Sequence, residues 1–216
     1  MNSEQKLIAV ISGDIVNSTK LSAVQYEQLL RRIKYVQQLI SEKEVLNAHS
    51  IYRGDEFQSV IHDIENALRY TIAYRVGIKA LGKGFDCRIS FAIAANADLR
   101  EQVSESMGQA FVLSGRGLKE LKSNRMLFSS EFQELNEQFE LYIQYLDKQI
   151  SDLTLRQCEV MLPMLMANEE ISVSKLAEQL DIAIATASKS LKASGWGLIR
   201  ELNEKFVNKV IGLRND

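Results

Sequence analysis

The chain of 216 residues has little cysteine, histidine or proline. Its two cysteines, Cys87 and Cys158, stand far apart and form no CxxC pair. With only His49 and His62 beside them, a Cys/His zinc site is all but excluded. The same scarcity argues against nucleophilic catalysis through a Cys–His or Ser–His pair. Average usage would give about eleven prolines where the chain has one, which argues against Pro-rich linkers and favours helices. No apolar run approaches the ~18 residues of a membrane span. The opening Met1-Asn2-Ser3-Glu4-Gln5-Lys6 lacks the apolar stretch of a signal peptide. These absences predict a reduced, soluble, cytoplasmic protein with no membrane partner. A formal net charge of −2 supplies no overall basic field, so any DNA contact must come from a local surface. What is present is ordinary for a globular protein: 46% hydrophobic and 25% charged residues, in a length that suits one or two domains with a real core.

Residues 7–11, Leu-Ile-Ala-Val-Ile, read as a short buried strand, and Ser12-Gly13-Asp14 as the turn that ends it. Tyr26, Leu29, Leu30, Ile33, Val36 and Ile40 recur at spacings of three and four, which predicts a helix capped by Ser22. Gly54-Asp55 between two β-prone runs predicts a hairpin. A second helix is expected over about 63–81 and a strand over 87–95. A segment punctuated by Gly108, Gly115 and Gly117 leads to a short helix, then to Met126-Leu127-Phe128 as a last strand. The order matches a ferredoxin-like βαββαβ core within an α+β fold. Leu135, Phe139, Ile143, Leu146, Ile150 and Leu153 mark an amphipathic connecting helix over 131–153. The expected division is 1–150 and 151–216, since no strand signal follows.

Asp14 follows the first strand and Asp55 sits in the hairpin turn. In a βαββαβ fold those places are neighbours, so the two carboxylates can converge. A hard divalent cation relieves their repulsion and in turn binds phosphates. The Asn17-Ser18-Thr19 segment turns from strand to helix, where free N–H groups face an anion. The alternative is that these residues are caps and turn formers only.

Several segments carry a resemblance. Ser12-Gly13-Asp14-Ile15-Val16-Asn17-Ser18-Thr19 resembles the first metal-binding motif of class III nucleotidyl cyclases, and Arg53-Gly54-Asp55-Glu56-Phe57 their second. Arg88-Ile89-Ser90-Phe91 resembles their fourth-strand segment. The stretch from Glu105 to Arg116 aligns without a gap to their base-and-transition-state segment. The chain as a whole resembles the SatD family, a cyclase-like domain joined to a helix-turn-helix. The resemblance implies a metal site for Mg²⁺ or Mn²⁺ at Asp14, the Ile15 carbonyl and Asp55. It implies a nucleotide site at Asn17, Ser18 and Thr19, with Glu105 in the place of a base-selecting acid. Arg116 matches the arginine that stabilises charge on the transferring phosphoryl group, the catalytic role if the site is active. Two positions depart: the transition-state asparagine is Val112 and the adenine-selecting lysine is Ile51. Losing one such donor costs about 10²–10³ in rate, so nucleotide and metal binding can outlive catalysis. Cyclase domains pair, so the resemblance also implies a homodimer.

Thr154 is the expected N-cap of the next helix. With Glu159 five positions on, it reads as a single cap and not a capping box. Pro163 is expected to kink that helix or end its regular part. Residues 172–180, a turn at Asp181-Ile182-Ala183 and residues 184–194 have a helix-turn-helix layout. Leu176, Ala177, Leu180, Ile182, Ala187 and Leu191 would form its small core. Ala185, Thr186, Ser188, Lys189 and Lys192 face outward as candidate DNA contacts. Trp196 reads as a core anchor, and a last helix over about 199–211 packs Ile199, Leu202, Phe206 and Val210. Residues 151–216 hold eight Lys/Arg and nine Asp/Glu, a net of −1, which keeps a protein-contact bundle open beside DNA binding. The expectation is a DNA-binding transcriptional regulator with a degenerate, nucleotide- and metal-sensing cyclase-like domain. The alternatives are a metal-dependent enzyme converting nucleoside triphosphates and a non-enzymatic dimeric scaffold.

Overall fold

A computed structural model describes residues 6–52, 55–95 and 97–213. The opening residues 1–5 and the Arg53-Gly54 pair of the hairpin lie outside them. The elements are β1 (Leu7–Ile15), α1 (Ala23–Ser41), β2 (Ala48–Tyr52), β3 (Glu56–Ile61), α2 (Ala67–Lys79), β4 (Cys87–Ala95), α3 (Gln109–Glu120) and β5 (Met126–Ser130). Then come α4 (Gln133–Asp152), α5 (Leu155–Met166), α6 (Val173–Gln179), α7 (Ile184–Ala193) and α8 (Trp196–Gly212). The fold is α+β around one five-stranded sheet in the order β2-β3-β1-β4-β5. The first four strands run antiparallel to their neighbours, and β5 joins β4 in parallel at the edge.

Side chains alternate across a strand, so the sheet has two distinct faces. Ala9, Ile11 and Ile15 of β1 share one face with Phe57, Ile61, Ile89, Phe91 and Ile93. That face is sealed by helices, with Leu29, Ile33, Val36 and Ile40 of α1 in the core as their spacing requires. The opposite face carries Ile8, Val10, Val60 and Ala94 under α3. No helix among the described residues is long and apolar enough to cross a membrane.

Local signals place several boundaries. Ser22 Oγ accepts from the Gln25 N–H at 3.3 Å and Gln25 Oε1 accepts from the Ser22 N–H at 2.9 Å, a reciprocal cap that starts α1. Four expectations need correction. β1 continues through Ser12-Gly13-Asp14 to Ile15 instead of ending at Ile11. Gly13 is there for tertiary reasons: a Cβ would lie 2.2 Å from the Phe57 ring. Gly115 and Gly117 lie inside α3, not before it. A Cβ on Gly117 would meet Ser90 Oγ at 2.4 Å, so the bare backbone lets the helix lie close on the sheet. The second helix is shorter than 63–81, because residues 64–66 form a 3-10 turn and α2 proper begins at Ala67. Thr154 does make a capping box, with Gln157 rather than an acidic residue: Gln157 N–H donates to Thr154 Oγ1 at 3.3 Å and Thr154 N–H to Gln157 Oε1 at 2.8 Å. α5 runs through Pro163 and ends three residues later at Met166.

The main core crosses position 150 without a break. It includes Leu146 and Ile150 of α4, Cys158, Met161 and Leu165 of α5, and Ile199, Phe206 and Val210 of α8. A smaller core joins Val160 to Leu176, Ala177, Ala187 and Leu191, with Leu180, Ile182 and Trp196 packed on it.

Candidate functional site

The site is built where β1 ends. Asp14 lies opposite Glu56 on β3 and Arg88 on β4. Its carboxylate makes an ion pair with the Arg88 guanidinium, the two side chains being 17% and 39% exposed. The Ile15 N–H donates to the Asp55 carbonyl at 2.9 Å, which fixes the hairpin turn against the strand end. The Asp55 carboxylate accepts from Ser18 Oγ at 2.8 Å. Asn17 adopts a left-handed conformation (φ 56°), a geometry asparagine tolerates, and it turns the chain into the 3-10 turn at 18–20. The N–H groups of Asn17, Ser18 and Thr19 make no well-formed hydrogen bond to a described residue.

These groups surround a cavity of 440 Å³ whose walls include Asp14, Ile15, Asn17, Ser18, Thr19, Asp55, Arg88 and Arg125. Two carboxylates thus face two guanidiniums, so the cavity is charge-balanced. A lone cation meets two arginines there, and a lone anion two carboxylates. A cation carried by a phosphate satisfies both pairs. No group of three or more His, Cys, Asp or Glu able to hold a metal occurs among the described residues. That donor set does not make an all-protein cage. It does fit Mg²⁺ or Mn²⁺, because Mg²⁺ keeps several waters and is bound by one or two carboxylates plus substrate phosphates. Asp14, Asp55 and the Ile15 carbonyl are the oxygen donors at hand.

The structure brings Asp14, Ile15, Asn17, Ser18, Thr19 and Asp55 together. It does not bring Ile51, Glu105, Val112 or Arg116 to them. Ile51 pairs with Phe57 and packs against the main core on the helix-covered face. Glu105 precedes α3, and Val112 and Arg116 lie on its outer face; all three are exposed and none lines the cavity. Two residues of the site carried no assigned role in the sequence. Arg88 was legible as a charge in the alternation Cys87, Arg88, Ile89, Ser90, Phe91, where odd positions are buried. Arg125 precedes β5 and gave no signal.

A second cavity of 630 Å³ adjoins the first on the α3 side, sharing Asp14 and Arg88. Burial pushes the Tyr52 phenol at its edge upward, so Tyr52 keeps its proton at neutral pH. Burial likewise raises both thiols, Cys158 to about 11, which leaves neither cysteine a thiolate.

In the C-terminal segment, Asp181 (φ 50°) turns the chain between α6 and α7. Ala185, Thr186, Ser188, Lys189 and Lys192 are all exposed on α7, while Ala187 and Leu191 face the small core.

No family model matches the sequence, and no curated protein matches it. Several solved structures resemble it in chain course. One is a bacterial light-regulated adenylyl cyclase, 13% identical over 56% of this chain and 74% of that one, with a TM-score of 0.43. Another is the non-canonical dimeric guanylyl cyclase domain of the RhoGC fusion protein from the aquatic fungus Blastocladiella emersonii, 16% identical over 54% and 75%, TM-score 0.43. A third is the adenylyl cyclase CyaB from P. aeruginosa, 17% identical over 65% and 83%, TM-score 0.44. At these identities and scores the likeness assigns no residue a role.

Proposed function

We propose that the chain is a nucleotide-responsive DNA-binding regulator. Its sheet domain, of the nucleotidyl cyclase type, takes a phosphate-bearing nucleotide with Mg²⁺ or Mn²⁺ at the end of β1, and its C-terminal helices form a helix-turn-helix that contacts DNA. The observation that carries the ligand half is the charge-balanced cavity of Asp14, Asp55, Arg88 and Arg125 beside the N–H groups of residues 17–19. Asp14 and Asp55 hold the cation. Arg88 and Arg125 neutralise phosphate oxygens, and the N–H groups orient them. The cation, when bound, screens phosphate charge. For the DNA half, the support is a short polar face on α7: Thr186 and Ser188 reach base edges or phosphates, and Lys189 and Lys192 neutralise phosphates.

A second reading, a metal-dependent enzyme acting on nucleoside triphosphates, is favoured by one observation. Arg116 is an exposed cation on the outer face of α3, with its side chain open to a phosphate or to a second copy of the chain. Val112 at 49% exposure lies on that same face and offers no donor for a ribose hydroxyl. This weighs the proposal toward binding in a homodimer without efficient turnover.

Calorimetry with Mn²⁺ and a panel of nucleoside triphosphates tests the ligand half. Saturable binding is expected, abolished in Asp14→Ala, with the nucleotide recovered intact. Turnover that Asp14→Ala removes would move the protein to the enzyme reading. For the DNA half, affinity for a mixed-sequence duplex should fall steeply with salt. Lys189→Ala should lower the slope of log K against log salt by about one. A salt-independent or absent signal would leave the C-terminal helices as a protein-contact module.

A further inference from the structure

The sheet face under α3 changes character along its length. At one end Ile8, Val10, Val60 and Ala94 form an apolar layer. At the other, under the 630 Å³ cavity, the same strands carry a directed chain of polar groups. The Tyr52 O–H donates to Gln58 Oε1 at 3.2 Å. Gln58 Nε2 donates to Ser12 Oγ at 3.1 Å. Ser12 Oγ lies 3.1 Å from Ser114 Oγ, which donates to the Phe111 carbonyl at 3.2 Å. Ser12 is 5% exposed and Ser114 fully buried, so this chain is an expensive floor. Apolar side chains of the same shape would serve structure as well, because a self-satisfied polar pair can be replaced by an apolar one at nearly no cost.

The chain leaves specific capacity unused. A primary amide has two N–H donors and two oxygen lone pairs. Gln58 spends one of each on Ser12 and Tyr52. One N–H donor and one oxygen lone pair of Gln58 remain without a partner among the described residues, and Gln58 lines the cavity. A donor and an acceptor on one amide suit a nucleobase, whose edges present both kinds of group, as when glutamine meets adenine N6 and N7. The rings of Tyr52 and Phe111 line the same cavity and give a planar partner apolar walls.

We propose that this cavity is a base-reading subsite and that Gln58 determines its specificity, the phosphates of the same ligand lying in the adjoining cavity through the shared Asp14 and Arg88. The inference rests on the nucleotide reading above. It puts base recognition on β3, rather than at Ile51, whose side chain faces the other side of the sheet, or at exposed Glu105.

The test compares ATP, GTP, CTP and UTP with inorganic tripolyphosphate, all with Mn²⁺, by calorimetry on the full chain, with the free nucleosides as a separate arm. Wild type is expected to bind one nucleotide about tenfold or more tighter than tripolyphosphate, the discrimination of a good bidentate contact. In Gln58→Leu the four nucleotides should converge on one common value, set by the phosphates and the ring walls. Gln58→Glu has the same size and exchanges the N–H donors for an acceptor. It should reorder the bases and carries the test if the leucine variant does not fold. Tripolyphosphate binding as tightly as every nucleotide overturns the subsite, as does a base ranking unchanged in the folded variants. Nucleosides that bind through Gln58 while no triphosphate binds would overturn the phosphate reading and keep the subsite. Absence of both would overturn both.

Discussion

At the scale of the residue, His49 shows how one buried group sets a pH dependence. It sits on β2 with Nδ1 2.8 Å from Ser59 Oγ and Nε2 3.1 Å from Ser41 Oγ. Burial pulls its pKa down to about 4, so the folded protein holds it neutral. The unfolded chain protonates it near the ordinary value of about 6.5. Between those values the unfolded state binds a proton that the folded state does not, so stability is fully present above about pH 6.5 and falls as pH drops toward 4. The expected loss between pH 7.5 and 4.5 is about 2–3 kcal/mol at most. Urea unfolding of wild type and His49→Gln over that range checks it. His62 is also lowered by burial and contributes with the same sign, which the comparison of the two proteins cancels. Parallel stability curves for the two would show that His49 contributes nothing.

At the scale of the element, the tie between α2 and α4 is a fully buried arginine. Arg75 donates from Nε to Asp86 Oδ1 at 3.2 Å and from Nη2 to Ser151 Oγ at 2.8 Å, and its Nη1 makes an ion pair with Asp147. Burial works against its charge; Asp86 and Asp147 outweigh that and hold its pKa above the ordinary value. Asp147 also accepts from the N–H of Arg125, the arginine that lines the 440 Å³ cavity, at 2.8 Å. Removing one partner of a buried pair leaves the other uncompensated. Asp147→Ala should therefore cost about 3 kcal/mol, and Asp147→Leu combined with Arg75→Met should recover much of it. Equal losses in the single and double variants, by chemical denaturation, would contradict this. Little of the tie was legible in the sequence. The periodicity of α1 and α4, the Ser22 cap and the hairpin were legible, because each is written within a few residues. An arginine in the middle of α2 gives no sign that its partners stand 11 and 72 positions away. Gly13, Gly115 and Gly117 misled for the same reason: local rules read glycine as a break, whereas two of these three are bare because another side chain lies where a Cβ would go. The site was half legible. Asp14 and Asp55 stand on the turn and strand end that topology alone brings together. The direction of Ile51 depends on hairpin register, which a count from Asp55 does not supply.

At the scale of the whole molecule, the question is whether α5–α8 stand apart from the sheet. Composition changes near residue 150, since strand signals cease there, and this suggested two units. Packing runs across that point. Phe206 of α8 lies with its ring centroid 6.0 Å from Phe91 of β4, 5.6 Å from Phe128 of β5 and 5.1 Å from Phe139 of α4. Three further contacts reinforce it. Arg69 of α2 donates to the Leu165 and Ala167 carbonyls at the end of α5. Gln149 of α4 donates to the Ser194 carbonyl after α7 at 2.9 Å. Trp196 packs on both the main core and the small one. Elements that share one core unfold together, and small cores below the usual domain size gain most of their stability from such sharing. Because Trp196 is the single tryptophan, its fluorescence reports the C-terminal helices, while far-UV circular dichroism reports the whole chain. The two thermal transitions are expected to coincide. Phe206→Ala, which empties the ring cluster at a cost of about 3–5 kcal/mol, should lower both midpoints by the same amount. If Trp196 fluorescence melts well before the circular dichroism signal, or if Phe206→Ala shifts only one of them, the C-terminal helices are an independent unit. Any signal between the proposed nucleotide and DNA sites would then have to pass through the α4 connection. If the transitions coincide, a ligand that rearranges the end of β1 acts on the same packed body that presents α7.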